Sequence, residues 1–183
     1  MAEHEKFSED AIYLTVRTYD DGMSVIMDAA TDSLYVKKTL SDYNAAAYDY
    51  LKTHEDIQIP EVYSVKEEDG KLTVIEEFIH GKKLDELLQS ENKLTFLDRK
   101  RILFAVCEGL NFLHRADPKI VHGDLKASDI LIMDDGTVKL TGYNTALTNA
   151  DSDIAALGAL IRQVLPESAG ALEIADKAEK TGG

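Results

Sequence analysis

The chain has 183 residues, 44% of them hydrophobic and 30% charged, an ordinary profile for a soluble globular protein with enough chain to bury a core as one domain or two small lobes. A formal net charge of −14 sets it against nucleic acid and anionic lipid, which would repel it, and no run of Lys and Arg offers a local exception. The lone Cys107 excludes an internal disulfide and suits a reducing compartment; set among Ala105, Val106 and Leu110, it is expected to be a buried packing thiol.

In chain order, the first third reads as strands. Ala11 to Thr18, Met23 to Ala29 and Ser33 to Thr39 cluster or alternate β-formers, parted by Asp20-Asp21-Gly22 and Thr31-Asp32. Ser41-Asp42 is expected to cap a helix to about His54, with Tyr43, Ala47, Tyr48 and Leu51 on one apolar face. Glu61 to Lys66 and Lys71 to Phe78 form a hairpin pattern around Glu68-Asp69-Gly70. Beyond Gly81 the pattern turns mostly helical. Leu84 to Leu88 is a short amphipathic piece, and Thr95 with Asp98 resembles a capping box that starts a helix to about His114. Its core face would be Ile102, Leu103, Val106, Leu110 and Leu113. Ile130 to Met133 and Thr137 to Leu140 flank the hairpin signal Asp134-Asp135-Gly136, and Asp151 to Leu165 and Ala169 to Lys180 are the last helices. The boundary between two lobes is expected near His80-Gly81-Lys82. No apolar run reaches membrane-spanning length, and Met1-Ala2-Glu3-His4-Glu5-Lys6 carries no signal-peptide pattern, so the cytoplasm is the expected compartment. The ending Thr181-Gly182-Gly183 is compatible with a piece of a longer chain.

The most informative stretch is Val121-His122-Gly123-Asp124-Leu125-Lys126-Ala127-Ser128-Asp129-Ile130-Leu131, followed after a short strand by Thr141-Gly142-Tyr143-Asn144. It resembles the catalytic loop of protein kinases, His-Arg-Asp-Leu-Lys-x-x-Asn-Ile-Leu, and the strand leading to Asp-Phe-Gly. Under that resemblance Asp124 matches the base that takes the substrate hydroxyl proton, and Lys126 the lysine that steadies the transferred phosphoryl group. Gly123 replaces the Arg that links to a phosphorylated activation loop. Asp129 replaces the metal-binding Asn and still offers oxygen to Mg²⁺. Gly142 replaces the Asp that bridges metal to phosphates and has no ligand atom to give.

The resemblance, to bacterial serine/threonine kinases, runs from about Ile12 to Leu165. Tyr35-Val36-Lys37-Lys38 is similar to the third-strand Val-Ala-x-Lys, which implies Val36 against adenine and Lys38 as the phosphate lysine; a slip of one residue selects Lys37 instead, on the opposite face. The helix Glu that should pair with that lysine falls at Ala46, so the pairing is expected to be lost. Val74 to Gly81 resembles the hinge, with Glu76 as gatekeeper and the backbones of Glu77 and Ile79 facing an adenine edge. Only Gly22 stands where several glycines would cover phosphates, beside the unhelpful carboxylates Asp20 and Asp21. Asp153-Ile154-Ala155-Ala156-Leu157-Gly158 matches the start of the long central helix of the large lobe, whose Asp holds the catalytic-loop backbone. Between Tyr143 and Asp153 there is room only for a short connector in place of the activation segment and the peptide-docking helix.

Aminoglycoside and choline phosphotransferases and small atypical kinases also carry His-Gly-Asp, but they keep a metal Asp after the next strand; Leu125-Lys126 and Ala156-Leu157-Gly158 favour the protein-kinase branch. The resemblance therefore implies an α+β bilobal fold. Residues 1–80 would form a small lobe with a five-stranded antiparallel sheet and one helix, and residues 81–183 a reduced, mostly helical large lobe. It implies a pseudokinase working through a protein partner, with ATP as a conformational ligand and Mg²⁺ weakened by Gly142. The alternatives are a weak or atypical ATP-dependent phosphotransferase using Lys38, Asp124 and Asp129, and a degenerate domain with no nucleotide site.

Overall fold

The computed structural model describes residues 7–19, 22–90, 94–147 and 149–181. Asp20 and Asp21 of the first expected turn, the opening Met1 to Lys6 and the final Gly182-Gly183 lie outside the described residues. The chain divides into two compact units, Met1–Glu55 with Pro60–Phe78, and Asp56–Ile59 with Ile79–Gly183.

In the first unit, strands β1 (Tyr13–Thr18), β2 (Met23–Asp28), β3 (Leu34–Leu40), β4 (Val62–Glu68) and β5 (Lys71–Glu77) form one antiparallel sheet of order β1-β2-β3-β5-β4, with helix α1 (Ala45–Thr53) between β3 and β4 in the chain. This is the five-stranded sheet with one helix that the sequence pattern predicts. Strand β5 shows the period-2 logic plainly: Leu72, Val74 and Glu76 are buried, while the residues between them are less covered. On the other face, buried Tyr35 is packed edge-on by Tyr13, Tyr63 and Phe7 at ring-centroid separations of 5.8, 5.5 and 5.4 Å. Phe7 also stacks on Tyr13 (5.4 Å) and Tyr63 (5.9 Å), while Glu9 accepts a hydrogen bond from the Ser64 hydroxyl. Such pairs add about 0.5–1.5 kcal/mol each beyond the area they bury.

The start of α1 differs from expectation. Asn44, in extended backbone, is its N-cap and accepts from the Ala47 N–H, whereas Ser41 and Asp42 are exposed and precede the helix. Of several candidate capping side chains in a row, the one three residues before a buried Ala47 wins because it lets Ala47, Tyr48 and Leu51 face inward together.

In the second unit, α3 (Phe96–Arg115) opens on the capping box that Thr95 and Asp98 suggested: the Asp98 N–H donates to Thr95 Oγ1 and the Thr95 N–H to Asp98 Oδ2, both at 3.1 Å. Its buried stripe is Ile102, Leu103, Val106, Gly109, Leu110 and Leu113, each large side chain contributing roughly 1.5–3 kcal/mol. Cys107 does not join it. The thiol is exposed on the flank of the stripe, one step round the helix from Val106, although nearby protein atoms and Glu108 still push its pKa up. The short strand β6 (Gly81–Lys83), unforeseen in the sequence, pairs with β7 (Ile130–Met133), which pairs with β8 (Val138–Leu140). Helix α2 (Leu84–Gln89) follows β6, and α4 (Asp151–Val164) and α5 (Ala169–Thr181) close the chain as a helical pair. A Cβ at Gly158 of α4 would stand 2.9 Å from the Ala175 carbonyl of α5, so glycine permits that approach. Arg162 ties the pair further by hydrogen-bonding Glu179 (2.8 Å) and Asp176. The separate stretch Asp56–Ile59 belongs with this unit because the Leu140 N–H donates to Gln58 O (2.7 Å) and Lys139 Nζ to Ile59 O (3.2 Å).

Candidate functional site: a kinase-type catalytic loop and a lysine-bearing sheet face

On the first unit, register puts Val25, Val36 and Glu76 in one cross-strand row, with Lys38 of β3 in the next row opposite Val74. Side chains two apart on a strand share a face, so Val36, Lys38, Val74 and Glu76 lie together and Lys37, opposite Ile75, lies on the other face. Lys38 Nζ is 2.5 Å from Glu76 Oε1, a diagonal cross-strand pair with Lys38 15% and Glu76 3% exposed. Ala46, where the helix carboxylate was expected, is exposed on α1. Sequence reading named Glu76 only as a gatekeeper and missed it as the partner of the lysine. The signal was available: a Glu on the buried phase of β5 needs a counter-ion, and the inward lysine of β3 is the nearest in register. The Glu77 N–H donates to Glu61 O (2.8 Å), closing the β4–β5 edge.

On the second unit, the loop from Val121 to Ile130 is held mainly by its backbone. Val121 bridges Asn144, whose N–H donates to Val121 O (3.1 Å). The N–H groups of His122 and Gly123 donate to Asp153 Oδ2 (2.8 Å) and Oδ1 (2.7 Å), and His114 Nε2 donates to Oδ2 from α3 (2.8 Å). Asp153 is fully buried, so these three charge-assisted bonds are made away from water. Val121, Leu125, Ala127 and Ile130 are buried and pin the loop from below. His122 is buried with them; its Nε2 donates to Thr141 O (2.8 Å), and its Nδ1 is the buried side-chain polar atom without a hydrogen-bond partner among the described residues.

The chemistry-bearing side chains sit differently. Lys126 and Asp124 pair with one another on the surface, the lysine 59% and the aspartate 75% exposed, and the carboxylate raises the lysine pKa. Asp129 ends a one-turn 3₁₀ helix (Ala127–Asp129), its Oδ2 accepting the Lys126 N–H (2.9 Å) and its carbonyl accepting both the N–H (2.8 Å) and the hydroxyl (3.0 Å) of Thr141. Burial pushes the Asp129 pKa up, against the lowering effects of His122 and the Lys126 N–H.

Two glycines decide what the loop can hold. Gly142 has φ +81°, and a Cβ there would lie 3.3 Å from Asp129 Oδ1. The position is thus aimed at Asp129, where a second carboxylate would complete a divalent-cation pair, and it supplies none. With one half-buried carboxylate already bonded to backbone, and no cluster of three or more acidic, His or Cys side chains able to hold a metal among the described residues, the donor set does not fit Mg²⁺, a hard cation that wants several oxygens. Gly123 has φ +87°, and a Cβ there would collide with Cδ1 of the exposed Leu147 side chain. Leu147, in the connector that precedes α4, occupies the space that an arginine stem would need. Ile79, expected to face an adenine edge, is buried in this unit.

Comparison with known families reaches the same loop from the outside. The family model described as "Protein kinase domain" matches residues 26–155, which is most of the chain and includes Val36, Lys38, Glu76, Asp124, Asp129, Gly142 and Asp153. The chain belongs to the protein kinase domain family. Among similar proteins are Probable protein kinase At2g41970 of Arabidopsis thaliana (36% identical over 83 residues, covering 45% of this chain and 22% of that protein) and the Cysteine-rich receptor-like protein kinase 1 of the same plant (33% over 94 residues, 45% and 15%). The Serine/threonine-protein kinase CLA4 of Eremothecium gossypii is 33% identical over 105 residues, covering 56% of this kinase-family chain and 12% of its own length. The matched stretches thus span about a fifth or less of those relatives. No helix among the described residues is long and apolar enough to cross a membrane.

Proposed function

We propose that this kinase-family chain is a pseudokinase: a domain that acts by binding a protein partner in the cytoplasm and takes a nucleotide without metal as a conformational ligand. The observation that carries the reading is Gly142, set 3.3 Å from Asp129 by its virtual Cβ and contributing no ligand atom. Family phosphotransfer depends on metal-held phosphates and on an oriented lysine, and removing the metal carboxylate takes away much of the electrostatic stabilisation of the transition state. The sheet face with Val36 still offers apolar area to a base, and that contact depends on shape and not on a metal.

Thermal shift with adenosine, ADP and ATP, each with and without Mg²⁺, tests it. The expected result is a shift that Mg²⁺ does not enlarge, about 2.7 kcal/mol for a ligand at 100 times its Kd. In Gly142→Asp, Mg²⁺ should begin to enlarge the ATP shift. No shift with any nucleotide at millimolar concentration removes the nucleotide from the reading, and native mass spectrometry of the purified protein without a stoichiometric partner removes the partner.

A weak or atypical phosphotransferase is the second reading, favoured by the retained Asp124–Lys126 pair and by Lys38. Transfer of the γ-phosphate by the wild-type protein, abolished in Asp124→Asn, would establish it in place of the first.

A further inference from the structure

In the kinase resemblance, the lysine of the third strand takes its counter-charge from the helix, at the position of Ala46. Here that residue is exposed and carries no charge, and Lys38 pairs with a carboxylate on the neighbouring strand. We propose that Glu76 has taken over as the charge partner that positions Lys38, and that it turns the ligand preference of this sheet face toward nucleosides with at most one phosphate and away from triphosphates. The selectivity half rests on the nucleotide-binding reading above; the positioning half stands without it.

The argument begins with where the pair lies. Lys38 and Glu76 project from adjacent antiparallel strands whose register is fixed by six cross-strand pairs, from Tyr35 opposite Glu77 to Leu40 opposite Leu72. Their separation is therefore set by the sheet and not by the position of α1. In ordinary kinase logic the lysine is assembled when the helix swings in; a carboxylate in the sheet makes that assembly permanent. The pair is also nearly out of water, with Glu76 only 3% exposed. A phosphate that recruits Lys38 must break its ion pair with a buried carboxylate, an unfavourable exchange. One that leaves the pair intact meets no net positive charge. Between β1 and β2 the sequence holds a single glycine, Gly22, where the kinase family uses several to bring backbone amides over phosphates. Val36, half-buried in the same row as Glu76 and backed by buried Val25, gives a base an apolar surface beside the neutralised pair. A ligand dominated by its base gains from that surface. A ligand dominated by phosphates does not.

The test has two arms. In the first, Lys38→Met, Glu76→Gln and the double variant are unfolded in denaturant, and the Lys38 ammonium is followed by lysine-selective ¹H–¹⁵N spectra. The double variant should be destabilised by less than the sum of the singles. The Lys38 resonance, protected by the pair, should persist in Ala46→Glu and vanish in Glu76→Gln. Should a single variant fail to fold, Lys38→Met/Glu76→Met, which replaces the buried pair with apolar side chains, gives the stability of the sheet without it. Additive effects, or a Lys38 signal that follows residue 46 instead of 76, would overturn the positioning role. The second arm titrates adenosine, AMP and ATP by calorimetry without metal. Wild type should bind adenosine and AMP at least as tightly as ATP, and Glu76→Gln should raise ATP affinity about ten-fold, equivalent to about 1.4 kcal/mol, while adenosine changes little. ATP binding more tightly than adenosine in wild type, or an unchanged ratio in Glu76→Gln, overturns the selectivity while leaving nucleotide binding intact. Binding by none of the three ends both the nucleotide reading and the selectivity, and the first arm still decides what holds Lys38.

Discussion

Asp153 and Asp124 serve the same loop in opposite ways. Asp153 is fully buried and gathers three hydrogen bonds, one from helix α3 and two from the loop backbone, while Asp124 is 75% exposed and holds one exposed lysine. The first is a frame and the second is chemistry left on that frame. Selection on a frame can continue after selection on chemistry has relaxed, because the frame also keeps Val121, Leu125 and Ile130 buried. Under the proposed pseudokinase reading, that contrast is how a chain stays within the protein kinase domain family while carrying Gly123 and Gly142 in its loop unit.

The sharpest way to break the contrast is Asp153→Ala. It strands two buried backbone N–H groups and the His114 ring, and should destabilise the second unit by about 3–5 kcal/mol in denaturant unfolding followed by far-UV circular dichroism. A loss under about 1 kcal/mol would mean that water or another group replaces the carboxylate easily. Next in size is Gly123→Arg. A side chain in a left-handed backbone conformation that also displaces Leu147 should cost about 2 kcal/mol. A neutral outcome would show that the connector gives way and that the family arginine could be restored. Thr95→Ala removes the side-chain half of the α3 capping box and should cost about 1 kcal/mol.

Asp129 sharpens the comparison through pH. Its folded pKa is raised by burial, so from the ordinary carboxylate range up to that raised value the folded chain holds a proton that the unfolded chain has released. Stability from this group therefore falls as pH rises through that window and is flat above it. Asp98 and Glu179, whose pKa values are lowered by Thr95 and Arg162 respectively, act in the opposite sense, contributing stability that is lost on acidification. The difference between wild type and Asp129→Asn across the acid range isolates the Asp129 contribution; a difference that does not vary with pH would contradict the assigned burial effect. The smallest effect belongs to Asp124→Asn, which should leave the unfolding midpoint unmoved because exposed ion pairs are screened, while the Lys126 pKa drops toward its ordinary value.

What the sequence made legible follows from how local each cause is. The α3 capping box needs only four consecutive residues, and its buried stripe only a 3.6-residue period, so both could be read directly. The five strands were readable because turn residues separate alternating runs. Strand β6 was not, since exposed Gly81-Lys82-Lys83 becomes a strand only through pairing with β7, where a Cβ on Gly81 would lie 2.9 Å from Ile132 O. The exposure of Cys107 escaped because apolar neighbours in sequence are not neighbours around a helix. The site divided along the same line: Asp124, Lys126, Asp129 and Gly142 sit in one contiguous motif, whereas Lys38 and Glu76 are thirty-eight positions apart and meet only through the β3–β5 register. A motif matched to a family names the expected partner of a lysine; it cannot reveal that another strand supplies one.

The ring cluster of Phe7, Tyr13, Tyr35 and Tyr63 gives this molecule an uneven optical character. The chain has eight tyrosines and no tryptophan, and all of them except Tyr143 precede Phe78. Near-ultraviolet absorption, dichroism and intrinsic emission therefore belong almost wholly to the sheet unit, while far-ultraviolet signals weight the helices of the other. Tyr143, buried beside Gly142, is the single tyrosine of the loop unit. Two spectral windows can thus follow the two halves of one unlabelled chain, and a ligand that touches only the sheet should speak in one window and stay silent in the other.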